Sequence, residues 1–409
     1  GTADATLSGA VSGSGGLTKA GAGTHTLSGA NSYTGATTVS AGLLRAGAGS
    51  AFGQSRTLAI ASGATVDFNG YSQNFYTIAG SGSLALNGGA GLTLGDDGSS
   101  TTFAGSISGS GALIKNGSGT LTLSGSSTFG GGIELRGGTL SVSADANLGS
   151  GSVSMSDATT LALTGSGTFS RGLLLGGTST VDVASGLTVN WSGQVGDNGG
   201  AGALQLTGGG TFSLTNAANS YSGGTIVTGG STVGVGSDGA LGAAGASLTL
   251  GGPGGAGTLN LTAASFQSSR PITLGSSGGT VSAASGSAAT LSGAITGAGA
   301  LRLSGGTFAL TNAANSYSGG TSVIGGGTLT AGSDAGLGAA GSGLTLGDAA
   351  STGTLALTPS GSISFSRPIA LGGAGWTISV GSAGTATLGG AVSGAGALRL
   401  TGGTFSLTN

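Results

Sequence analysis

Residues 211–225 read TFSLTNAANSYSGGT, and residues 307–321 read TFALTNAANSYSGGT, with Ser213 against Ala309 the single difference. A third occurrence, TFSLTN, runs over residues 404–409, and looser relatives stand at Asn31 (NSYTGAT) and Ser127 (STFGGG). A chain written as copies folds as copies, each burying its apolar face against the next. Within one copy Phe212 and Leu214 alternate with Thr211, Ser213 and Thr215, the period of two that puts apolar groups on one face of a strand. The following stretch, residues 216–224, is polar, with Asn, Ser and a Gly pair supplying turn conformations and one Tyr able to pack.

Two periods are superposed. Gly-rich phrases end at Leu17, Leu113, Leu204, Leu301 and Leu398, at intervals of 96, 91, 97 and 97. They divide a single continuous domain, 1–409, into super-repeats near 10–105, 106–193, 194–293, 294–390 and a partial 391–409. The last stops early, so the chain reads as an excerpt of a longer array. The shorter period shows in alternating runs that begin at Thr120, Thr139, Thr160, Thr180 and Ala203, spaced by 19, 21, 20 and 23. Similar runs begin at Thr24, Thr57, Thr65 and Ser83.

A coil of some twenty residues holds two or three short strands, each pairing in parallel with its equivalent above and below. The prediction is an all-β, right-handed parallel β-helix, or β-solenoid, of roughly twenty coils, its hand taken from the crossover rule. At about 4.8 Å per coil it would be a rod on the order of 95 Å long. Leu121, Leu140, Leu161, Val181 and Leu204 would stack as one interior ladder, with Leu123, Val142, Leu163, Val183 and Leu206 beside it. An antiparallel sandwich or barrel ranks second, since it too has short strands and Gly-rich turns but rarely repeats its sequence at both lengths. GGPGGAG (251–257) and GDDGSS (95–100) are predicted to bulge as loops.

Composition agrees. Of 409 residues 96 are glycine, against about 7% in ordinary chains. Collagen is excluded because Gly does not recur every third residue and there are only 4 prolines. Disorder is excluded by 37% hydrophobic residues in alternating runs with 5% charged. A net charge of -2 gives no basic footprint, so no nucleic-acid partner is expected. No cysteine is present for a disulfide or thiolate site. The N-terminal GTADATLSGA has no basic segment leading an apolar core, so no signal peptide is read there. No apolar run approaches the roughly 18 residues of a membrane helix, so direct membrane insertion is not expected.

Chemistry-bearing residues are sparse. His25 is the only histidine, which rules out a His-dependent triad or multi-histidine metal site. Glu134 is the only glutamate, and Asp96 with Asp97 is the only adjacent acidic pair, read as a solvated turn. Polysaccharide-cleaving β-helices need clustered carboxylates, so the expectation is no enzyme, no catalytic residue, no cofactor and no metal. Ser269-Arg-Pro271, Ser366-Arg-Pro368 and Ser170-Arg-Gly172 occupy matching places. Their arginines are expected at surface corners, with Pro fixing φ for entry to a strand. A row of arginines for acidic sugars is the alternative.

Residues 17–44 and 113–140 share the pattern Leu-x-Lys-x-Gly-x-Gly-Thr-x-x-Leu-Ser-Gly, then Asn-x-Tyr-x-Gly-x-Thr, then a Gly-Thr-Leu strand. It is met at Lys19, Gly21, Gly23, Leu27, Gly29, Asn31, Tyr33, Gly35 and Thr37. The second copy keeps Lys115, Gly117, Gly119, Leu123, Gly125, Phe129 and Gly131, with Ser127 for the Asn. The third and fourth keep Asn219, Tyr221, Asn315 and Tyr317, and Gln205 and Arg302 are read at the Lys position. The pattern resembles the passenger-associated repeats of bacterial autotransporters. The resemblance implies a β-helical passenger exported and displayed through an outer-membrane barrel, here anchored by a segment outside this sequence. A Gly-Asp-Ser-Gly nucleophile motif is absent, which sets aside the family's proteases.

The expected function is a structural stalk or adhesive fibre segment, extracellular or on the bacterial surface. Partners expected are a host, matrix or glycan surface, or further copies through self-association and end-to-end assembly. The motif residues Asn31, Tyr33, Gly35, Phe129, Asn219, Tyr221, Asn315 and Tyr317 are read as structural, with a contact face as their other role. On that second reading Tyr33, Tyr221, Tyr317, Asn219 and Asn315 would line a carbohydrate groove. Ice binding by the Thr120, Thr139, Thr160 and Thr180 rank is a lesser alternative, because the neighbouring rank runs Thr122, Ser141, Ala162 and Asp182.

Overall fold

The computed structural model describes residues 2–358 and 362–408. Gly1 and Asn409, the ends of the expected continuous helix, lie outside them. The chain is a parallel β-solenoid of about 18 turns. The one antiparallel pairing among the described residues is an isolated bridge, Gly252 to Gly255, which pinches the predicted loop at 251–257. A sandwich or barrel of hairpins is thereby excluded. Two compact units divide the chain, residues 1–202 and 203–409.

In the first unit the fullest turns visit three sheets. Gln73–Phe75, Thr77–Gly80 and Ser83–Leu86 make one such turn, and Leu92–Leu94, Thr101–Phe103 and Ser106–Gly109 make the next. Corresponding strands lie in register, as in Leu92 on Gln73 and Ile107 on Leu84. Farther along, Thr120, Thr139, Thr160 and Thr180 stack one over another. Leu121, Leu140, Leu161 and Val181 form the inward ladder beside them, all fully buried. Leu123, Val142, Leu163 and Val183 form a second. Burying each such side chain contributes about 1.5–3 kcal/mol, and no single turn could bury it alone.

One spacing was misleading. The runs at Thr57 and Thr65 look like successive coils but belong to different sheets. Thr57–Ile60 pairs with Thr37–Val39 and Thr77–Gly80, whereas Thr65–Asp67 pairs with Leu43–Ala46 and Ser83–Leu86. Eight residues carry the chain round one corner, not round a whole turn.

In the second unit two faces merge. Gly279–Leu291 is a single 13-residue strand whose first half pairs with Gly257–Leu261 and whose second half pairs with Ser265–Ser268. Its register to Leu301–Leu310 shifts between Ala283 and Ala288, so the corner is turned by a bulge. Gly286, at φ 86°, sits in that corner. Trp376–Leu388 repeats the device, with its shift between Val380 and Thr385. No helix among the described residues is long and apolar enough to cross a membrane.

Candidate functional site

In the repeat-bearing turns a polar segment takes the place of a third strand. Thr120–Leu123 is followed by Ile133–Leu135, and no strand lies between them. Phe129 points inward from that gap, as Tyr33, Tyr221 and Tyr317 do from theirs, and all four rings are at most 1% exposed. One aromatic side chain fills the space that strand side chains fill in three-sheet turns.

A buried phenol must be hydrogen-bonded. The hydroxyls of Tyr33, Tyr221 and Tyr317 meet the Oγ1 atoms of Thr37, Thr225 and Thr321 at 2.8, 2.7 and 2.6 Å. In the second copy both partners change together: Phe129 has no hydroxyl, and position 133 is a buried Ile in place of Thr. No orphaned polar atom is left, because the pair is replaced as a pair. Burial pushes the Tyr317 phenol up to about 12, against the opposing hydrogen bond from Thr321 and the charge of Arg367. Burial raises Tyr221 further and Tyr33 also.

The asparagine two residues earlier ties three turns together. Asn31 Oδ1 accepts from the Val11 N–H at 2.9 Å, and its Nδ2 donates to the Ala51 carbonyl at 2.7 Å. Asn315 does the same with Ile295 at 2.8 Å and Gly336 at 2.7 Å. Asn219 donates to Ala240 at 2.8 Å. Ser127 keeps the accepting half, from Ile107 at 3.1 Å, while its own backbone N–H donates to Ala146.

Directly over each aromatic lies a glycine of the next turn. Gly53, Gly149, Gly242 and Gly338 all have positive φ. A Cβ on Gly338 would stand 2.6 Å from the Tyr317 carbonyl oxygen and 2.9 Å from its ring, and one on Gly149 would crowd Phe129 at the same two distances. Only Gly allows both the conformation and the close approach. Three of these glycines end a short 3-10 turn, Asp145–Leu148, Asp238–Leu241 and Asp334–Leu337.

The aspartate of each 3-10 turn meets an arginine from farther along, and here an expectation is corrected. Arg270 and Arg367 are not surface corner residues, for their side chains are 2% and 0% exposed. Arg270 Nε donates to Asp238 Oδ1 at 2.9 Å, Nη1 to the carbonyls of Ala243 and Ala246, and Nη2 to those of Asp238 and Gly242. Arg367 repeats this with Asp334 at 2.6 Å, with the carbonyls of Asp334, Leu337 and Ser342, and with Ser342 Oγ. A guanidinium is a rigid fork of five donors, so it can be buried where carbonyls converge. Nor can the three form a row for acidic sugars, with two of them enclosed. Pro271 and Pro368 complete the corner by accepting from the N–H groups of Leu248 and Leu344.

The motif lysines are also buried. Lys19 Nζ donates to the carbonyls of Gly21 at 2.7 Å and Ala41 at 3.0 Å, and Lys115 Nζ to those of Asn116, Gly117 and Gly137. Burial holds the Lys115 ammonium below the usual lysine range. Their counterparts in the other copies are Leu206 and Leu303, not Gln205 and Arg302. The side chain two residues after the first Leu of this strand points inward, and Leu206 and Leu303 are both buried there.

The motif therefore works mechanically, locking one turn to the next. The contact-face reading of the aromatic residues is corrected, because a ring at most 1% exposed offers nothing to a glycan. Sequence reasoning missed Asp145, Asp238 and Asp334, although the recurrent DANLG, DGALG and DAGLG phrases after Phe129, Tyr221 and Tyr317 carried the signal. Among the described residues no group of three or more His, Cys, Asp or Glu could hold a metal ion.

The passenger-associated transport repeat matches residues 17–46, 113–142, 204–233 and 296–331. The adhesin BmaC autotransporter of Brucella suis biovar 1 (strain 1330) is 39% identical over 148 residues, which are 35% of this chain and 4% of the adhesin. The chain thus spans only a small part of the length of that relative. No solved structure matches it. The chain thus carries four passenger-associated transport repeats wound into a parallel β-solenoid, and over part of its length it is similar to an autotransporter adhesin.

Proposed function

We propose that this passenger segment is a non-enzymatic display structure that mediates attachment outside the cell, to other cells, matrix or host surfaces. The observation that carries this reading is the direction of the motif side chains. Asn, Tyr, Lys and Arg of the repeats are committed to the interior, Asn, Lys and Arg bonding across to neighbouring turns and Tyr to a threonine of its own turn, which leaves the outward Ser, Thr and Asn ranks as the surface offered to partners. Similarity to a protein named as an adhesin supports the same reading. Export as an autotransporter passenger supports a surface or secreted location. Self-association between copies is a further element of the proposal.

Beads carrying the purified chain should adhere to matrix-coated or cell-covered surfaces, or to one another, more than beads carrying an unrelated β-protein. Equal attachment by the two would end the adhesive reading. Release of reducing sugar ends from a polysaccharide incubated with the chain would end the non-enzymatic one.

A further inference from the structure

Unit 1 contains four arginines, at positions 45, 56, 136 and 171. Arg45, Arg136 and Arg171 each have a carboxylate oxygen within 3.2 Å. Arg56 makes no ion pair among the described residues. Its guanidinium carbon instead lies 4.9 Å from the centre of the Tyr76 ring. The two residues belong to consecutive turns joined by the Tyr76 N–H donating to the Arg56 carbonyl at 2.7 Å. A ring face engages the plane of a guanidinium and leaves its N–H edge for another acceptor.

Arg56 and Tyr76 both line a surface groove of about 290 Å³, together with Thr34, Gln54, Ser55 and Asn74. Asn74 is fixed in place: its Nδ2 donates to Asp96 at 2.6 Å, and Asp96 is held on its other side by Asn116 at 2.6 Å. These two amides keep the Asp96 carboxyl below the usual carboxylate range. The Asn74 oxygen is then left as an acceptor, and the Gln54 amide and Thr34 hydroxyl complete a hydrogen-bonding wall. Asp97 feels the Arg56 charge but bonds to Ser99, not to the guanidinium.

We propose that this groove binds a carboxylate-bearing sugar, with the Arg56 fork taking the carboxylate and the amides and hydroxyl reading the ring hydroxyls. A planar carboxylate matches the free guanidinium edge in bidentate fashion. The proposal deepens the attachment reading by naming a ligand class, and it places the contact away from the buried repeat aromatics.

The test is calorimetric titration of the whole chain with oligogalacturonate and with a neutral galactose oligomer of equal length. Oligogalacturonate should bind at least ~10-fold more tightly than the neutral oligomer, and more weakly as salt is raised. Arg56→Ala should weaken it about 10- to 100-fold, with Arg56→Lys intermediate because a point charge lacks the fork. Arg136→Ala should leave it unchanged, and Asp97→Asn should tighten it about twofold by removing a competing anion. Equal affinity for the two oligomers, no binding of oligogalacturonate, or binding indifferent to both Arg56 variants in a chain of unchanged melting temperature would overturn the site. Uronate binding without bead attachment would sink the attachment reading alone, and attachment without uronate binding would sink this site alone.

Discussion

The turns over Phe129 in unit 1 and over Tyr317 in unit 2 meet the same demand with different chemistry. Both put an aromatic ring where a third strand is missing, cover it with a positive-φ glycine and send an aspartate toward an arginine one turn farther on. Over Phe129 the lock is loose: Arg171 reaches Asp145 at 3.1 Å and Ser150 at 3.2 Å, stays 25% exposed, and has an Nε with no partner. Over Tyr317 the lock is closed, with Arg367 fully buried and every nitrogen engaged. The buried cation has also moved. Unit 1 encloses Lys19 and Lys115, whereas unit 2 has Leu206 and Leu303 at those places and encloses Arg270 and Arg367. Each turn near these motifs has converging carbonyls that need donors, and either cation can supply them.

This contrast is open to direct attack. The largest difference is expected at the arginines. Arg367→Ala leaves Asp334 and several carbonyls unpaired and should destabilise unit 2 by about 3–5 kcal/mol, whereas Arg171→Ala should cost unit 1 about 1 kcal/mol or less. Hydrogen exchange resolved by unit reads both, and equal losses would erase the distinction. Next comes the asparagine bridge. Asn315→Ala strands a buried N–H and a buried carbonyl and should cost about 2–3 kcal/mol, against about 1 kcal/mol for Ser127→Ala, which strands one group. Urea titrations of the two variants should differ in midpoint accordingly.

In alkali the buried Tyr317 and Lys115 act with opposite sign. Below pH 10 the Tyr317 phenol is neutral folded or unfolded, and its contribution is fully present. From pH 10.0 to about 12 the unfolded chain ionises first, so stability is lost progressively across that window. Lys115 acts oppositely: its folded pKa is lowered from 10.5, so its contribution rises as pH approaches that value. Tyrosinate absorbance and unit-resolved exchange over this range should show loss in unit 2 that is partly relieved when Tyr317→Phe and Thr321→Ile are combined, Tyr221 keeping the rest. The smallest effect is expected from that pair at neutral pH. Tyr317→Phe alone should cost about 1 kcal/mol, and adding Thr321→Ile should recover most of it, as the natural Phe129 and Ile133 pair does. A double-mutant cycle with no coupling would break the analogy.

Much of the fold is legible in the sequence. Alternation fixes which face of each strand is apolar, and recurrence near twenty residues fixes which strands stack, so the Leu121 and Leu123 ladders follow from spacing alone. The eight-residue step from Thr57 to Thr65 shows the limit, since local alternation does not say which sheet a strand joins. The Asn and Tyr of the motif were visible, but their direction was not, because a turn-forming polar segment looks the same whether its aromatic points in or out.

What the sequence by itself determined is the repeating strand and the need to stack it. Only the tertiary structure decided where the charges go. Charge on a Gly-rich corner ordinarily faces water, and Asp238 and Arg270 are separated by a whole intervening strand set in the chain. Stacking brings their turns together and converges the carbonyls of Asp238, Gly242, Ala243 and Ala246 on one point. Burial of a cation there is favourable because those acceptors would otherwise lie unpaired in the interior, a condition that exists only once the turns are in place.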